Sequence, residues 1–544
     1  MALQGEEEGG TTAHPRADRA MPPPDLSPAH APAAPLAEAV LPSSQVRWLF
    51  WSLAALPGVL FLAIVLSPPM NHDVAAVLDF SMRWRNGELL FRDLIDMNPP
   101  LVFLLTRGAV AAGGALGLGP IHSVLAGALA VCALGAGLAL WLRRGLAAGP
   151  IEIACVSVGL PLILLTAGYD LAQREHLMLA ASLPYLVLAA RRAEGVPTSP
   201  VLSLAVALLA AVFLALKPHF LAIPALVELY VLVRAGPRAA LRDPVPWSMA
   251  ALWLAYLALI RWGFPDYLNF ALPLALAYYH SPASLTEILL NERMAPALLL
   301  ILPAAFLALR HPRGLAPILA LAGLGAVAVA VVQGRGWSYH VMPFKLLGEL
   351  LVVVLVARWL DVNLRNGARC APAIAALAAG FLALQGLLNP ETWRAAGFER
   401  SWPGVITAEV RRIAEGGRVL VLSPDIHPIF PALNYAHALS TLPTMNDWLV
   451  QAANQQCLPN GARYREPAEM GPGERLIWDS VTRDFVQHPP EALLVARHTA
   501  IPYCGRDFDN LEYFSRDPGF AATLRRYRQT AEFADYRFFR REDP

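Results

Sequence analysis

Charge is scarce in this chain. Asp, Glu, Lys and Arg make up 16% of its 544 residues and balance to a formal net charge of +1, which removes any electrostatic argument for a nucleic-acid partner. Cysteine is scarcer still, at five. Three of these, Cys132, Cys155 and Cys370, fall in or beside apolar runs, whereas Cys457 and Cys504 lie in a polar C-terminal region where an oxidising compartment would allow them to pair. Neither a dinucleotide glycine fingerprint nor a phosphate loop is seen in that region. His72, His176, His219, His280 and His340 show no HxxxH or HExxH spacing, so a zinc site would have to be assembled from separate loops. A basic stretch followed by an apolar core and a small-residue cleavage site does not open the chain, so the first apolar run is expected to stay as an anchor.

What is abundant is hydrocarbon. Hydrophobic residues reach 56% and mean hydropathy is +0.45, more apolar surface than one water-soluble core can hide. Apolar runs near span length recur through the first two thirds, each able to cross about 30 Å of hydrocarbon with its backbone bonds satisfied inside a helix. About eleven spans are predicted, at 47–67, 121–142, 150–168, 174–191, 200–216, 220–234, 246–262, 294–310, 316–333, 341–358 and 371–388. The arginines orient them. Arg143 with Arg144, Arg191 with Arg192, Arg234 with Arg238 and Arg242, Arg310 with Arg313, and Arg358 with Arg365 fall at alternate connections, which the positive-inside rule assigns to the cytoplasm. The loops 68–120 and 263–293 and everything after 389 are then extracytoplasmic.

Three regions follow: a cytoplasmic tail at 1–45, a membrane domain at 46–389 and a soluble domain at 390–544. The tail, with Glu6, Glu7 and Glu8 and then Pro22, Pro23 and Pro24, has a composition expected to be disordered; Met21 is an alternative start. The segment from Pro99 to Gly119 is apolar enough to imitate a span, but counting it would reverse the later arginine loops. It is therefore expected to be a helix along the outer surface, broken by Gly113, Gly114, Gly117 and Gly119. Val74, Val77, Leu78, Ser81 and Trp84 predict an amphipathic helix starting at Asp73. In the soluble region, helices over 404–415 and 473–487 alternate with strands at 419–422 and 492–495, predicting a small α/β domain with a parallel sheet.

Asp73, Gly87, Asp93 and Pro99-Pro100-Leu101 together resemble the first outer loop of the GT-C glycosyltransferases, the group holding the protein O-mannosyltransferases and the lipid A aminoarabinose transferases. The resemblance implies a helical polytopic bundle with juxtamembrane helices. It also implies a polyprenyl-phosphate-linked sugar donor and an acidic residue just after the first span, here Asp73, that is catalytic or binds acceptor. Where the family often has a second acid, this chain has Val74, and Met97-Asn98 stands where some members carry an acid-lysine pair, with Asp96 beside it. Some GT-C enzymes use a divalent ion and others do not, so a metal is possible.

Moving a sugar from a lipid phosphate to a hydroxyl needs a base for the hydroxyl proton and cations for the departing phosphate. Asp73 is the candidate base, or alternatively a helix N-cap. Asp93, Asp96 and Glu175 are candidates for acceptor or substrate binding. Arg335 and His340, in the loop Gln333-Gly334-Arg335-Gly336-Trp337-Ser338-Tyr339-His340, are candidates for the lipid phosphate, because flanking glycines leave the backbone free to approach an anion. The alternative is a snorkelling Arg in an aromatic belt. Arg174, within Tyr169-Asp170-Leu171-Ala172-Gln173-Arg174-Glu175-His176, is a further phosphate ligand or else pairs with Glu175 or Asp170. Lys217, near His219, raises the same question. These features predict an inverting hexosyl- or pentosyltransferase of the bacterial inner membrane, acting on a cell-envelope glycan, lipid or protein acceptor. The rival class is a transporter or flippase of lipid-linked sugars, but such proteins commonly show two related halves, and no internal repeat is found.

Overall fold

The computed structural model describes residues 44–279 and 283–542; the expected tail, apart from its last two residues, and His280 lie outside the described residues. Each predicted span coincides with a helix. In chain order the N-terminal half contains α1 (Ser44–Leu66), α2 (His72–Arg85), α3 (Leu101–Ala115), α4 (Pro120–Arg143), α5 (Pro150–Leu165), α6 (Arg174–Ala193) and α7 (Pro200–Leu214). Later spans include Ser338–Asn363 and Gly367–Leu387. Among the described residues, seven helices are long and apolar enough to cross a membrane, so the protein is a multi-pass membrane protein.

The helix α6 is the axis of the bundle. It is buried along almost its whole length, so its polar start, Arg174-Glu175-His176, is held inside protein and not in lipid. Gly135 shows how tightly α4 packs on it: a Cβ there would stand 2.1 Å from the Ala180 carbonyl oxygen, the small-residue approach by which membrane helices associate. About 30 Å along α6 from Arg174, Arg192 binds Glu228 (2.6 Å) and Asp243 (2.5 Å), and Arg358 binds Glu152 (2.9 Å). Arginines chosen from sequence as markers of one membrane face thus gather at one end of the bundle, while the N-termini of α6 and Ser338–Asn363 point to the other.

At that other end sits the C-terminal domain. Its five strands are β1 (Arg418–Leu422), β2 (Leu439–Ser440), β3 (Ala492–Ala496), β4 (Tyr527–Phe533) and β5 (Tyr536–Arg541), in the order β2-β1-β3-β5-β4. Only β2-β1-β3 is parallel; β5 runs antiparallel to both β3 and β4. The wholly parallel sheet expected from sequence is therefore corrected to a mixed one. The missed hairpin turns at Ala534 and Asp535, both with positive φ, a geometry usually marked by glycine or asparagine. Cys457 and Cys504 form a disulfide.

The expected amphipathic helix is present as α2, but it is buried on both sides. Val77 and Phe80 join the core of the bundle, and Val74, Ala75 and Leu78 pack with Phe430, Leu433 and Leu494 of the C-terminal domain. Polar ties reinforce the clamp: Arg83 Nη1 donates to the Leu442 carbonyl (2.7 Å), Ser440 N to Asp79 Oδ1 (3.2 Å) and Ile95 N to the Pro443 carbonyl (2.7 Å). Burial pushes the Asp79 carboxyl up to about 7, although Arg83 opposes the rise. Because Arg83 is 3% exposed and also pairs with Glu88 at 2.6 Å, Arg83→Ala should destabilise the protein by roughly 1.5–3 kcal/mol, the range for hydrogen bonds to charged groups. Thermal unfolding in detergent measures this, and an unchanged midpoint would refute the clamp.

Candidate active site

The chain leaves α1 through Ser67-Pro68-Pro69-Met70 and enters α2 with Asn71 as its N-cap; the Asn71 side chain accepts from Asp73 N at 2.9 Å. That settles the competing role considered for Asp73, because capping is done by Asn71 and the Asp73 carboxylate turns elsewhere. Its Oδ2 receives Gln173 Nε2 at 3.1 Å and faces Arg174 Nη2 at 3.5 Å, and its Oδ1 lies 3.6 Å from His72 Nε2. Burial alone would raise its pKa, but His72, Arg174, the Gln173 hydrogen bond and Lys217 together outweigh it and hold the carboxyl below its ordinary value. Asp73 is therefore an anion at neutral pH.

Arg174 is delivered by a strained turn. Ala172 has a φ of +68°, unfavourable for a residue with a Cβ, and its N–H is held by His176 Nδ1 at 3.3 Å. The guanidinium also donates to Asn98 Oδ1. Asn98 is in turn fixed by Asp96, whose Oδ1 accepts from Asn98 N (2.6 Å) and Nδ2 (2.7 Å). Burial lifts the Asp96 carboxyl to about 6, with the Asn98 bonds opposing. Asp96 thus orients Arg174 through Asn98. The ion pairs considered from sequence, Arg174 with Glu175 or Asp170, give way to the pair with Asp73.

Glu175 instead binds Lys217, Oε1 to Nζ at 2.6 Å, and Lys217 also donates to Gln333 Oε1 at 2.7 Å. Burial lowers the Lys217 ammonium to about 8, with Glu175 pulling it back up. Around this pair, among the described residues, Glu175 Oε2, Gln333 Nε2 and His340 Nδ1 are buried without a hydrogen-bond partner. Unsatisfied groups cost about 1–3 kcal/mol each, so their gathering beside a lysine marks a place suited to a polar ligand. Because Glu175 is fully buried, Lys217→Met should cost roughly 3–5 kcal/mol by stranding its charge, and Lys217→Met with Glu175→Gln should recover most of the loss. Unfolding midpoints of the two variants and the wild type check this; a Lys217→Met midpoint equal to that of the wild type would mean that the pair contributes nothing.

Asp73, Gln173 and Arg174 form the polar end of a cavity of about 220 Å³, whose remaining walls are apolar apart from Thr106 and come from α2, α3, α4, α6 and α7, with Leu105, Val131 and Phe213 among them. The helix α3, placed along the surface from sequence, therefore forms one wall of this cavity; it stops at Ala115, just before Gly117 with its φ of +77°.

Other predicted residues lie at differing distances from this centre. Arg335 stacks over Tyr279 (4.8 Å) and Trp337 (5.4 Å), and Tyr279 is within electrostatic reach of Asp73, Asp96 and Arg174, so Arg335 borders the site. His340 is buried beneath Trp337, with ring centroids 5.3 Å apart. Asp93 stands apart: it is exposed, and its Oδ2 accepts from Leu89 N at 2.8 Å, which ties its own loop. Asn71, Gln173 and Asn98 escaped notice as side chains because neutral amides carry no charge signal. Among the described residues, no three His, Cys, Asp or Glu side chains gather as metal ligands would.

A bundle of membrane helices capped at one end by a small α/β domain, with a polar centre where the two meet, is an ArnT-like fold. Two solved structures of ArnT from Cupriavidus metallidurans share it. The apo structure superposes with a TM-score of 0.56 over 91% of this chain and 98% of that one at 14% identity, and the one bound to undecaprenyl phosphate gives 0.56 over 92% and 98% at 13% identity. No family sequence model matches the chain. No curated protein sequence matches it significantly either.

Proposed function

We propose that this protein is a glycosyltransferase that moves a sugar from a polyprenyl-phosphate donor to an acceptor hydroxyl at the extracytoplasmic face of the bacterial inner membrane. The observation that carries this reading is the pairing of Asp73 with Arg174 at the polar mouth of an apolar cavity. A lipid phosphate needs this combination, a cation for the head and dry walls for the tail. The similarity to a fold seen with undecaprenyl phosphate bound supports the same ligand class here.

In the proposed reaction the acceptor hydroxyl hydrogen-bonds to Asp73 and attacks the anomeric carbon as the bond from that carbon to the phosphate oxygen breaks. The proton passes to Asp73, and the anomeric centre inverts. A carboxylate held below its usual pKa is a weak base, but the hydroxyl becomes acidic only as it bonds to carbon, so proton transfer is late and a weak base suffices. Charge growing on the leaving phosphate is met by Arg174, with Lys217, Arg335 and His340 further around the site. The acceptor is an envelope glycan, lipid or protein, and the arginine-rich loops face the cytoplasm. The test is to incubate the purified full chain with labelled polyprenyl-phosphate sugars and envelope extract. Labelled product with released polyprenyl phosphate is expected, and donor movement between leaflets without bond cleavage would favour transport instead.

A further inference from the structure

A second cavity, of about 320 Å³, shares no wall residue with the first. It lies where α1 and the span Gly367–Leu387 end and the C-terminal domain begins, lined by Pro69, Trp393, Arg394, Arg400, Trp402 and His427 among others. Its height in the membrane is fixed by Trp393, whose indole N–H donates to the Leu387 carbonyl at 2.8 Å, at the last residue of the span. Trp393 and Trp402 are each more than half exposed, as tryptophans at a membrane–water boundary are. The final turns of the two neighbouring spans expose Leu62, Leu66, Leu384 and Leu388.

The polar side of this cavity is cationic. Arg394 is fixed by Glu391 and by stacking on Tyr169 at 4.9 Å; Glu391 is shared with Arg293 at 3.3 Å, and Arg293 also faces Glu292 at 3.5 Å, so this cluster is balanced and Arg400 supplies the net positive charge of the cavity. Arg400 is exposed. The start of the thirteen-residue helix Trp402–Ala414 also lines the cavity, adding its positive dipole end.

We propose that this cavity holds a resident anionic glycerophospholipid, its phosphate beside Arg394 and Arg400, its glycerol region between the two tryptophans and its acyl chains along the ends of the two spans. The lipid ties the C-terminal domain to the membrane and is not consumed by sugar transfer.

The test is native mass spectrometry of the full-length protein, released from nanodiscs containing phosphatidylglycerol and phosphatidylcholine. The wild type should retain phosphatidylglycerol selectively. Arg400→Gln should retain it about fivefold less, the effect of one basic residue near an anionic headgroup, and Arg400→Lys should restore it. Equal retention by Arg400→Gln and wild type would overturn the proposal. So would displacement of the lipid by millimolar inorganic phosphate, which would mark a free-anion site, or transfer of sugar onto the retained lipid, which would make it an acceptor. Lipid retention is read without turnover, so its failure leaves the transferase reading standing.

Discussion

The Asp73→Asn protein should transfer sugar about 10²–10⁴-fold more slowly than wild type, the range for loss of a positioned general base. The substitution keeps the shape of the side chain, and an amide oxygen can still accept the bond now donated by Gln173 Nε2 at 3.1 Å. The Asn71 cap is untouched, because it binds the backbone of residue 73 and not its side chain. Donor binding should be unchanged or tighter, since removing an anion 3.5 Å from Arg174 leaves that cation more available to phosphate. A fall in turnover together with preserved or improved polyprenyl-phosphate binding identifies a base. Wild-type turnover would remove Asp73 from the chemistry, and a loss of binding instead would make it a positioning residue.

Arg174→Gln should lower kcat/KM about 10²–10³-fold, comparable to losing one group that stabilises developing negative charge, and it should also move the pH profile. The sign follows from Asp73. After burial, which raises its pKa, Arg174 is among the groups that pull the carboxyl below its ordinary value. The base in the wild type therefore stays ionised well into acid, and activity falls only below the usual carboxylate range. With Arg174 removed, the burial effect is less opposed, the Asp73 pKa rises, and the acid limb of the profile shifts to higher pH. The same linkage means that the Asp73 interactions stabilise the fold above the unfolded carboxylate pKa and that this contribution is lost as pH falls through the folded value. A rate loss with an unmoved acid limb would show that Arg174 grips phosphate without tuning Asp73.

Much of this could be read from residue types because the membrane imposes a strict grammar. Long apolar runs and arginine-bearing connections located the helices, and the soluble strands at 419–422 and 492–495 announced themselves as short apolar runs. Asp73 and Arg174 were each visible as charges beside hydrocarbon. That they meet was not visible, because α2 and α6 are separated by about a hundred residues and no local pattern encodes which loops converge. The neighbour of Glu175, for which pairing with Arg174 and substrate binding stood as alternatives, was hidden for a related reason: adjacent residues on a helix point in different directions, so Arg174 turns to Asp73 while Glu175 turns to Lys217. The burial of α2 on both faces was hidden because its second partner, around Phe430 and Leu433, lies more than three hundred residues away. The β4–β5 hairpin was missed because charged and polar residues occupy its exposed positions and its turn lacks glycine.

In the proposed reaction Arg174 binds the donor phosphate while the lipid chain enters the cavity walled by α2, α3, α4, α6 and α7. Cryo-electron microscopy of the full-length protein with polyprenyl phosphate tests it most directly. Phosphate density is expected within hydrogen-bonding distance of the Arg174 guanidinium, with isoprenoid density running past Leu105 and Val131. Phosphate density elsewhere, with that cavity empty, would contradict it.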